Sequence, residues 1–207
     1  MSGHMISPTG SWQSLLTLVV EALVVMGSPG PSTMAVTATG AAFGVRQSLG
    51  FVGGAIAGTI VVLLAVATGI VALLTSIPGL ELVLALASTI YILYLAWKIA
   101  RAPPLSGQRD APAPLPVTGV LLAIVNPKAW LAIAAVFAAS TLVDLSDVAD
   151  ALVKIAVLAT MIFVIHLLWL LAGASLAGFL SDPIRSRIAN IVFGLLLAGT
   201  TMLPLLR

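Results

Sequence analysis

The sequence predicts an all-helical integral membrane protein, and two observations carry that prediction. Of its 207 residues, 60% are hydrophobic and 8% are charged, whereas about a quarter of the residues in an average soluble domain carry a charge. Apolar stretches of about 20 residues, the length that a helix needs to cross a bilayer, recur along the whole chain. We therefore expect a single transmembrane domain over residues 1–207.

Breakers and charged residues divide the apolar stretches into six predicted transmembrane helices. These are about Trp12 to Phe43, Leu49 to Thr75, Leu80 to Ala100, Val117 to Thr141, Ala151 to Leu180, and Ile184 to Leu206. The connection Arg101 to Pro116 holds five prolines and is the one long linker. It separates a first repeat, about residues 11–100, from a second repeat, about residues 117–207.

The first segment contains a break at Gly27-Ser28-Pro29-Gly30-Pro31. Proline lacks the backbone donor and clashes with the preceding turn, and glycine loosens the chain, so an unbroken helix cannot pass through this run. In hydrocarbon, unpaired backbone groups are costly, and broken backbone survives only where protein or a water-filled cavity covers it. The break is therefore a candidate binding site.

The fourth segment repeats this pattern, with a second break at Asn126-Pro127-Lys128 about a hundred residues after the first. Each half of the chain thus contains a broken helix followed by two further helices. Since each half has an odd number of spans, the second half is predicted to be inverted relative to the first. Inverted repeats with a discontinuous helix in each copy are typical of secondary transporters.

The distribution of lysine and arginine predicts the orientation in the membrane. The odd-numbered connections hold Arg46, Lys98, Arg101, Arg109, Arg185 and Arg187, and the even-numbered connections and termini hold Lys154 and Arg207. We therefore expect the odd connections to face the cytosol and both termini to lie outside it. The acidic connection from Leu142 to Asp150 then also lies outside.

Composition and motifs exclude several classes of function. The chain contains no cysteine, which rules out disulfides, thiolate metal sites and thiol redox chemistry. It has no phosphate-binding loop, no HExxH pair and no basic run suited to nucleic acid. His166 and Ser175 are nine residues apart on one predicted helix, about 13 Å, too far for a nucleophile and its base. The sequence predicts no cofactor and no enzymatic activity.

The two breaks and their surroundings make the chain similar to the lysine exporter (LysE) family, and in particular to its homoserine and threonine exporter (RhtB) branch. The residues that carry the resemblance are Ser28-Pro29-Gly30-Pro31, Gly40 to Gly54, Ile90 to Lys98, and Val125 to Ala129. The resemblance implies export of an amino acid or related small metabolite across the bacterial inner membrane, driven by the proton gradient. Many relatives have an acidic residue where this chain has Thr59, which places proton carriage by the second helix in doubt.

Residues at both breaks are the candidate substrate-binding residues. They are Ser28, Pro29, Gly30, Pro31, Ser32, Thr33, Asn126, Pro127 and Lys128. Hydroxyls and the free amides of the half-helix after Pro31 suit a carboxylate. The alternatives are that the hydroxyls re-satisfy broken backbone, that Asn126 caps a helix, and that Lys128 either pairs with Glu21 or extends to the membrane surface.

Glu21 and His166 are the candidate proton-coupling residues. An intramembrane carboxylate is costly and so predicts a function, and Glu21 lies two α-helical turns, about 10 Å, before Ser28 on a similar face. His166 lies in the middle of the fifth predicted helix and has a side chain suited to proton relay. For both residues the alternative is a hydrogen bond between helices, and Glu21 has the further alternative of a hydrated position near the outer face.

Other functions remain as alternatives at this level. A cation or metal exporter is disfavoured because Glu21 is the only carboxylate predicted well inside a span. Gly50, Gly54 and Gly58 form a stripe that lets another helix approach closely, so a non-transporting membrane scaffold that uses this face is a second alternative. The predicted partners are a small-molecule substrate, protons and lipid, with a homo-oligomer possible and no nucleic acid.

Overall fold

The computed structural model describes residues 8–69, 113–139, 142, 146–176 and 182–202, together with eight single positions between Leu86 and Arg101. Across these residues the chain forms helices and short turns without a β-strand, which confirms the predicted all-helical class. Most of the predicted third helix, the end of the second and most of the proline-rich linker lie outside the described residues.

The described helices follow the predicted order of segments. They are α1 (Pro8–Glu21), α2 (Pro31–Ala67), α3 (Pro116–Ile124), α4 (Pro127–Ala139), α5 (Asp147–Ser175) and α6 (Pro183–Met202), with a π-helical turn at Ala22–Met26 after α1. Both predicted breaks are present, one between the π-helical turn and α2 and one between α3 and α4. At the second break the helix axis bends by 61°.

Gly44 divides α2 into two helical parts. Its φ of 71° and ψ of 177° are non-helical, and glycine tolerates this left-handed φ because it has no Cβ. The Ser48 hydroxyl lies 2.6 Å from the carbonyl oxygen of Gly44 and 3.1 Å from that of Thr39, where it can donate to a carbonyl exposed by the turn. The turn begins the connection predicted at residues 44–48 and joins the first two predicted segments.

The glycine stripe on α2 packs within the chain, against α3. A Cβ on Gly54 would lie 1.9 Å from the carbonyl oxygen of Pro116, and one on Gly58 would lie 2.7 Å from that of Val120. The two backbones therefore touch, as small residues permit in membrane helices. Because α3 occupies this face at Gly54 and Gly58, the stripe packs within the fold there and is not available to a partner subunit.

A second close crossing joins the first part of α2 to α5. A Cβ on Gly173 would meet the carbonyl oxygen of Thr37 at 2.1 Å, and one on Gly40 would meet that of Leu170 at 2.6 Å. The contact is reciprocal, since each helix supplies a glycine at the crossing. It places the last two turns of α5 beside the first part of α2, close to the first break.

Buried apolar side chains form two clusters between the helices. One contains Leu18, Ala22, Val62, Leu63, Ile133, Val136, Leu158 and Ile162, and the other contains Ala35, Val36, Phe51, Val52, Ala55, Leu122 and Leu170. Large apolar side chains also cover the outside, for example Leu16, Leu131 and Leu195, each more than 60% exposed. Such a surface is unfavourable in water and suits contact with lipid.

Among the described residues, α2 and α5 are each long and apolar enough to cross a bilayer. The bent pair α3 and α4 makes a third span if it is counted as one. The helical region Trp12–Met26 is apolar but shorter. These helices agree with a multi-pass membrane protein.

The start of α5 corrects the predicted acidic connection. The helix begins at Asp147, four residues before the predicted Ala151, because the Ser146 hydroxyl accepts a hydrogen bond from the amide of Ala149 at its first turn. Lys154 is therefore not a loop residue but lies buried within α5, 2.7 Å from the Asp150 carboxylate. Its charge is neutralised there and should not be counted as a loop charge.

We predict that Gly54→Ala destabilises the protein while Gly53→Ala does not. The new Cβ at position 54 would overlap the backbone of Pro116, whereas one at position 53 would meet nothing within 4 Å. Overpacking of this kind costs about 1–3 kcal/mol, and the exposed alanine is neutral or slightly stabilising in a helix. Thermal unfolding in detergent measures both, and equal midpoints would contradict the packing described here.

We predict that Lys154→Met lowers the free energy of unfolding by about 2 kcal/mol, because it leaves Asp150 without its cation. Lys154 also donates to the carbonyl oxygen of Phe137 at 3.2 Å, so the loss loosens the end of α4 as well. Asp150→Asn combined with Lys154→Met should recover part of the loss. If the double variant unfolds as easily as the sum of the single variants predicts, the two groups do not interact.

Candidate functional site

At the first break the π-helical turn ends at Met26 and α2 begins at Pro31, with four residues between them. The amide of Gly27 lies within hydrogen-bonding distance of the carbonyl oxygens of both Ala22 and Leu23, at 3.3 and 3.1 Å, which marks the end of the wide turn. Pro31 is the first residue of α2, a position that tolerates proline because the first amides of a helix have no partner within it. The extended Gly30 is the N-cap.

Side chains satisfy the backbone groups that this break releases. The Thr33 hydroxyl accepts from the Gly30 amide at 2.8 Å and lies 3.1 Å from the Gly30 carbonyl oxygen. The indole of Trp169, on α5, donates to the carbonyl oxygen of Gly27 at 3.1 Å. Thr33 therefore has the backbone-satisfying role that the sequence left as an alternative to substrate binding.

The second break has the same construction. Pro127 begins α4, and the Asn126 side-chain oxygen accepts from the amide of Lys128 at 3.1 Å, so Asn126 caps the helix. The indole of Trp130 donates to the carbonyl oxygen of Ile124 at 2.8 Å. At each break, a tryptophan satisfies a carbonyl of the preceding helical part.

The two breaks lie against each other and are joined by side-chain hydrogen bonds. Asn126 Nδ2 donates to Ser32 Oγ at 2.9 Å, across 94 positions of sequence. Lys128 Nζ donates to Ser28 Oγ at 2.8 Å, to the carbonyl oxygen of Pro29 at 3.0 Å, and to that of Ser28. The half-buried Lys128 thus turns toward the first break, and the predicted extension to the membrane surface is not its position here.

A small, partly open cavity of about 40 Å³ lies where the breaks meet. Its lining comes from the first turns of α2 and α4, the π-helical turn and the middle of α5. The lining residues are Met26, Gly30, Ser32, Thr33, Asn126, Lys128, Ala129, Ala132, Ile133 and His166. This volume is smaller than that of a typical small-molecule site, about 300–1,000 Å³, so a substrate would bind in a more open conformation.

The cavity is positively polarised. The starts of α2 and α4 both face it, and the amides of a first helical turn, such as those of Ser32 and Thr33, have no partner within their own helix. These amides and the helix dipole favour an anion. Lys128 adds a full positive charge at the same place. The arrangement can bind a carboxylate.

His166 lines the cavity with one ring nitrogen satisfied. Nδ1 lies 2.8 Å from the carbonyl oxygen of Ile162. Nε2 is buried and has no hydrogen-bond partner among the described residues. Trp169 follows three residues later on the same helical face, so one face of α5 serves both the first break and the cavity.

Glu21 lies elsewhere. It is half-buried at the end of α1 and is not among the residues that line the cavity. The expectation that it shares a face with Ser28 assumed 3.6 residues per turn, but the intervening Ala22–Met26 is π-helical. A π-helical turn takes more residues, so the seven-residue spacing does not return to the same face, and this expectation is wrong.

Several residues at the site could not be identified from the sequence. Met26, Ala129, Ala132 and Ile133 form the apolar wall, and their types do not differ from the rest of an apolar helix. Trp130 and Trp169 carry a weak signal, since an indole N–H inside a membrane protein requires an acceptor.

Thr59, at the position of the departure from related proteins, donates to the carbonyl oxygen of Ala55 at 2.8 Å. Within the part of the chain that the structure describes, no three metal-ligating side chains come together.

Broken helices whose ends enclose a cavity with polar groups and an apolar wall, in a chain with an apolar exterior, are typical of membrane translocators. The family described as LysE type translocator matches residues 23–203, and the chain belongs to this family, which confirms the resemblance. A leucine efflux protein of Klebsiella pneumoniae is 33% identical to it over 123 residues, which cover 56% of this chain and 58% of that protein. The match therefore spans little more than half of that relative. No solved structure matches the chain.

We predict that Asn126→Ala lowers the free energy of unfolding by about 2 kcal/mol, since it removes a helix cap and leaves Ser32 without its donor. Ser32→Ala should cost less when Asn126 is already alanine, because the two residues share one hydrogen bond. Thermal unfolding in detergent gives the double-mutant cycle. Thr160→Ala, on the exposed side of α5, is the matched control, and strict additivity of the first pair would contradict the link.

Proposed function

We propose that this protein is a secondary active transporter that exports a small amino acid with an apolar side chain across the bacterial inner membrane, in exchange for protons. The observation that carries the proposal is the cavity at the two breaks, with a cationic end and an apolar wall, in a chain of the LysE type translocator family. An amino acid has the complementary shape, with a carboxylate at one end and a side chain at the other.

The carboxylate subsite consists of Lys128 and the first amides of α2. In the structure the Lys128 ammonium uses its three donors on oxygens of Ser28 and Pro29. A substrate carboxylate would take over one or more of these donors. Hydrogen bonds between charged partners are stronger than those to neutral oxygens, so this exchange favours the bound substrate.

The apolar wall is the subsite for the substrate side chain. Met26, Ala129, Ala132 and Ile133 provide a surface without a charge and with a flexible methionine, which adapts to different aliphatic shapes. The relative named leucine efflux protein supports the same class of substrate. We therefore propose leucine and similar aliphatic amino acids as substrates.

We further propose that the complete chain forms six spans in two inverted repeats of three helices. The construction of the breaks supports this, because proline is the first residue of each half-helix. Each second-position side chain, Ser32 or Lys128, also bonds to the other break. Both termini then lie outside the cytosol by the distribution of loop charges. Since Lys154 is buried within α5 and is not a loop residue, fewer positive charges remain in the even-numbered connections, and the difference from the odd-numbered ones increases.

Alternating access follows from the bonds that join the breaks. The Asn126–Ser32 and Lys128–Ser28 hydrogen bonds tie the two broken helices together at the cavity. The neutral bond contributes about 1 kcal/mol net and the charged one about 1.5–3 kcal/mol, so a substrate that supplies equivalent partners can exchange with them. Rocking of one repeat against the other then opens the cavity to one side at a time.

Counterflow of radiolabelled amino acids in proteoliposomes tests the proposal directly. We expect unlabelled leucine inside the vesicles to drive uptake of labelled leucine, and lysine and glutamate to compete weakly. A protein that exchanges no amino acid under any imposed gradient would be a scaffold and not a transporter. Preferred exchange of a metal cation would favour the alternative exporter.

We predict that Lys128→Met raises the concentration of leucine for half-maximal counterflow about 10- to 100-fold, the equivalent of a lost charge-assisted hydrogen bond. Leucinol, which lacks the carboxylate, should compete weakly and equally in both proteins. Thr160→Ala serves as the control for reconstitution, and thermal unfolding separates loss of stability from loss of binding. Unchanged apparent affinity in a folded Lys128→Met protein would remove Lys128 from the substrate site.

A further inference from the structure

His166 presents a buried acceptor to the cavity. Its Nδ1 lies 2.8 Å from the carbonyl oxygen of Ile162, and a carbonyl oxygen can only accept, so Nδ1 carries the proton. In the neutral ring Nε2 is then an acceptor with a free lone pair. The side chain is 5% exposed and Nε2 has no partner among the described residues.

Such a group favours a ligand that donates a hydrogen bond. A buried acceptor without a donor costs about 1–3 kcal/mol. Lys128, which lines the same cavity, does not supply that donor, since it directs its ammonium to Ser28 and Pro29. The cavity thus has donors for an anion at the starts of the half-helices and a single neutral acceptor on α5. This polarity matches a zwitterion.

We infer that His166 Nε2 accepts a hydrogen bond from the α-ammonium group of the transported amino acid, and that a proton bound at the same nitrogen excludes that ammonium. The inference rests on the proposed function and assigns the residue that couples amino-acid export to proton entry. Proton and substrate binding exclude each other, because the lone pair of Nε2 either binds a proton or accepts a hydrogen bond from an N–H. A protonated imidazole ring also repels the ammonium by charge.

Competition at one nitrogen gives exchange of one proton for one substrate. When the cavity is open to the cytosol, the proton leaves and the amino acid binds. When it is open to the outside, an incoming proton takes the nitrogen and the amino acid is released. Thr59 cannot carry a proton in place of the acidic residue, and its hydroxyl already bonds to Ala55.

The charged groups around His166 are few in the described residues. Lys128 is the one that lines the same cavity. The helices packed against α5 contribute Glu21 at the end of α1 and Arg46 in the second part of α2. On α5 itself, Asp147, Asp150 and Lys154 lie 12 or more residues away, about 18 Å or farther along the axis, and the last two pair with each other.

The test compares wild type with His166→Gln, His166→Leu and Glu21→Gln in proteoliposomes. Glutamine retains an acceptor oxygen but does not titrate, so leucine counterflow at pH 7.5 should fall less in His166→Gln than in His166→Leu. In His166→Gln its dependence on pH between 5 and 8 and its accumulation driven by a pH gradient should be lost. Leucine at position 166 has no acceptor and should reduce counterflow at least tenfold, with Thr160→Ala as the control.

Three results would overturn parts of this picture, and they are distinguishable. Absence of amino-acid counterflow in wild type contradicts the proposed function together with the inference. Counterflow that keeps its wild-type pH dependence in His166→Gln contradicts the inference alone. Loss of that dependence in Glu21→Gln with its retention in His166→Gln assigns the coupling to Glu21.

A substrate analogue tests the same contact without any variant. N,N,N-trimethyl-leucine has no N–H to donate, whereas N-methyl-leucine keeps two and controls for added bulk. We expect the trimethyl compound to inhibit wild-type counterflow at least tenfold more weakly than leucine, and the monomethyl compound to differ by less than threefold. Equal inhibition by all three would mean that Nε2 does not accept a hydrogen bond from the substrate.

Discussion

Backbone amides and carbonyls that are released where a helix breaks must find partners when the surroundings are apolar. In this protein that requirement arises twice, after Met26 and after Val125, and the rest of the site follows from how it is met. Thr33 and Trp169 satisfy groups of the first break, while Asn126 and Trp130 satisfy groups of the second. Each break is stable because side chains replace the hydrogen bonds of the missing helical turn.

The partners also set how the two breaks are held together. Ser32 and Lys128 each occupy the second position of a half-helix and each reaches the opposite break. Lys128 also donates to the carbonyl oxygens of Ser28 and Pro29, so it both satisfies backbone groups of the first break and fixes the distance between the two breaks. Hydrogen bonds of this kind contribute little net free energy because other donors and acceptors can replace them. A cavity lined by such groups suits a ligand that must bind and leave.

Close helix crossings bring the partners into range. Glycines at positions 40 and 173 let α2 and α5 touch, and this contact places Trp169 and His166 beside the first break. The crossing of α2 with α3 at Gly54 and Gly58 holds the second broken helix against the same element. Small residues therefore act on the site from a distance, since they fix the positions of the helices that carry its polar side chains.

The sequence alone determined that the chain is an all-helical membrane protein, where its two helices break, and to which family it belongs, because composition and proline placement act locally along the chain. It also singled out Ser32, Asn126, Lys128 and His166. The tertiary structure decided which of these meet. The rotation of the helix, changed by the π-helical turn, keeps Glu21 out of the site. The crossing of helices determines that Lys128 turns toward the first break, and which side chains form the apolar wall and the tryptophan contacts. Rotation and crossing are set by packing between residues far apart in the sequence, which no local pattern encodes.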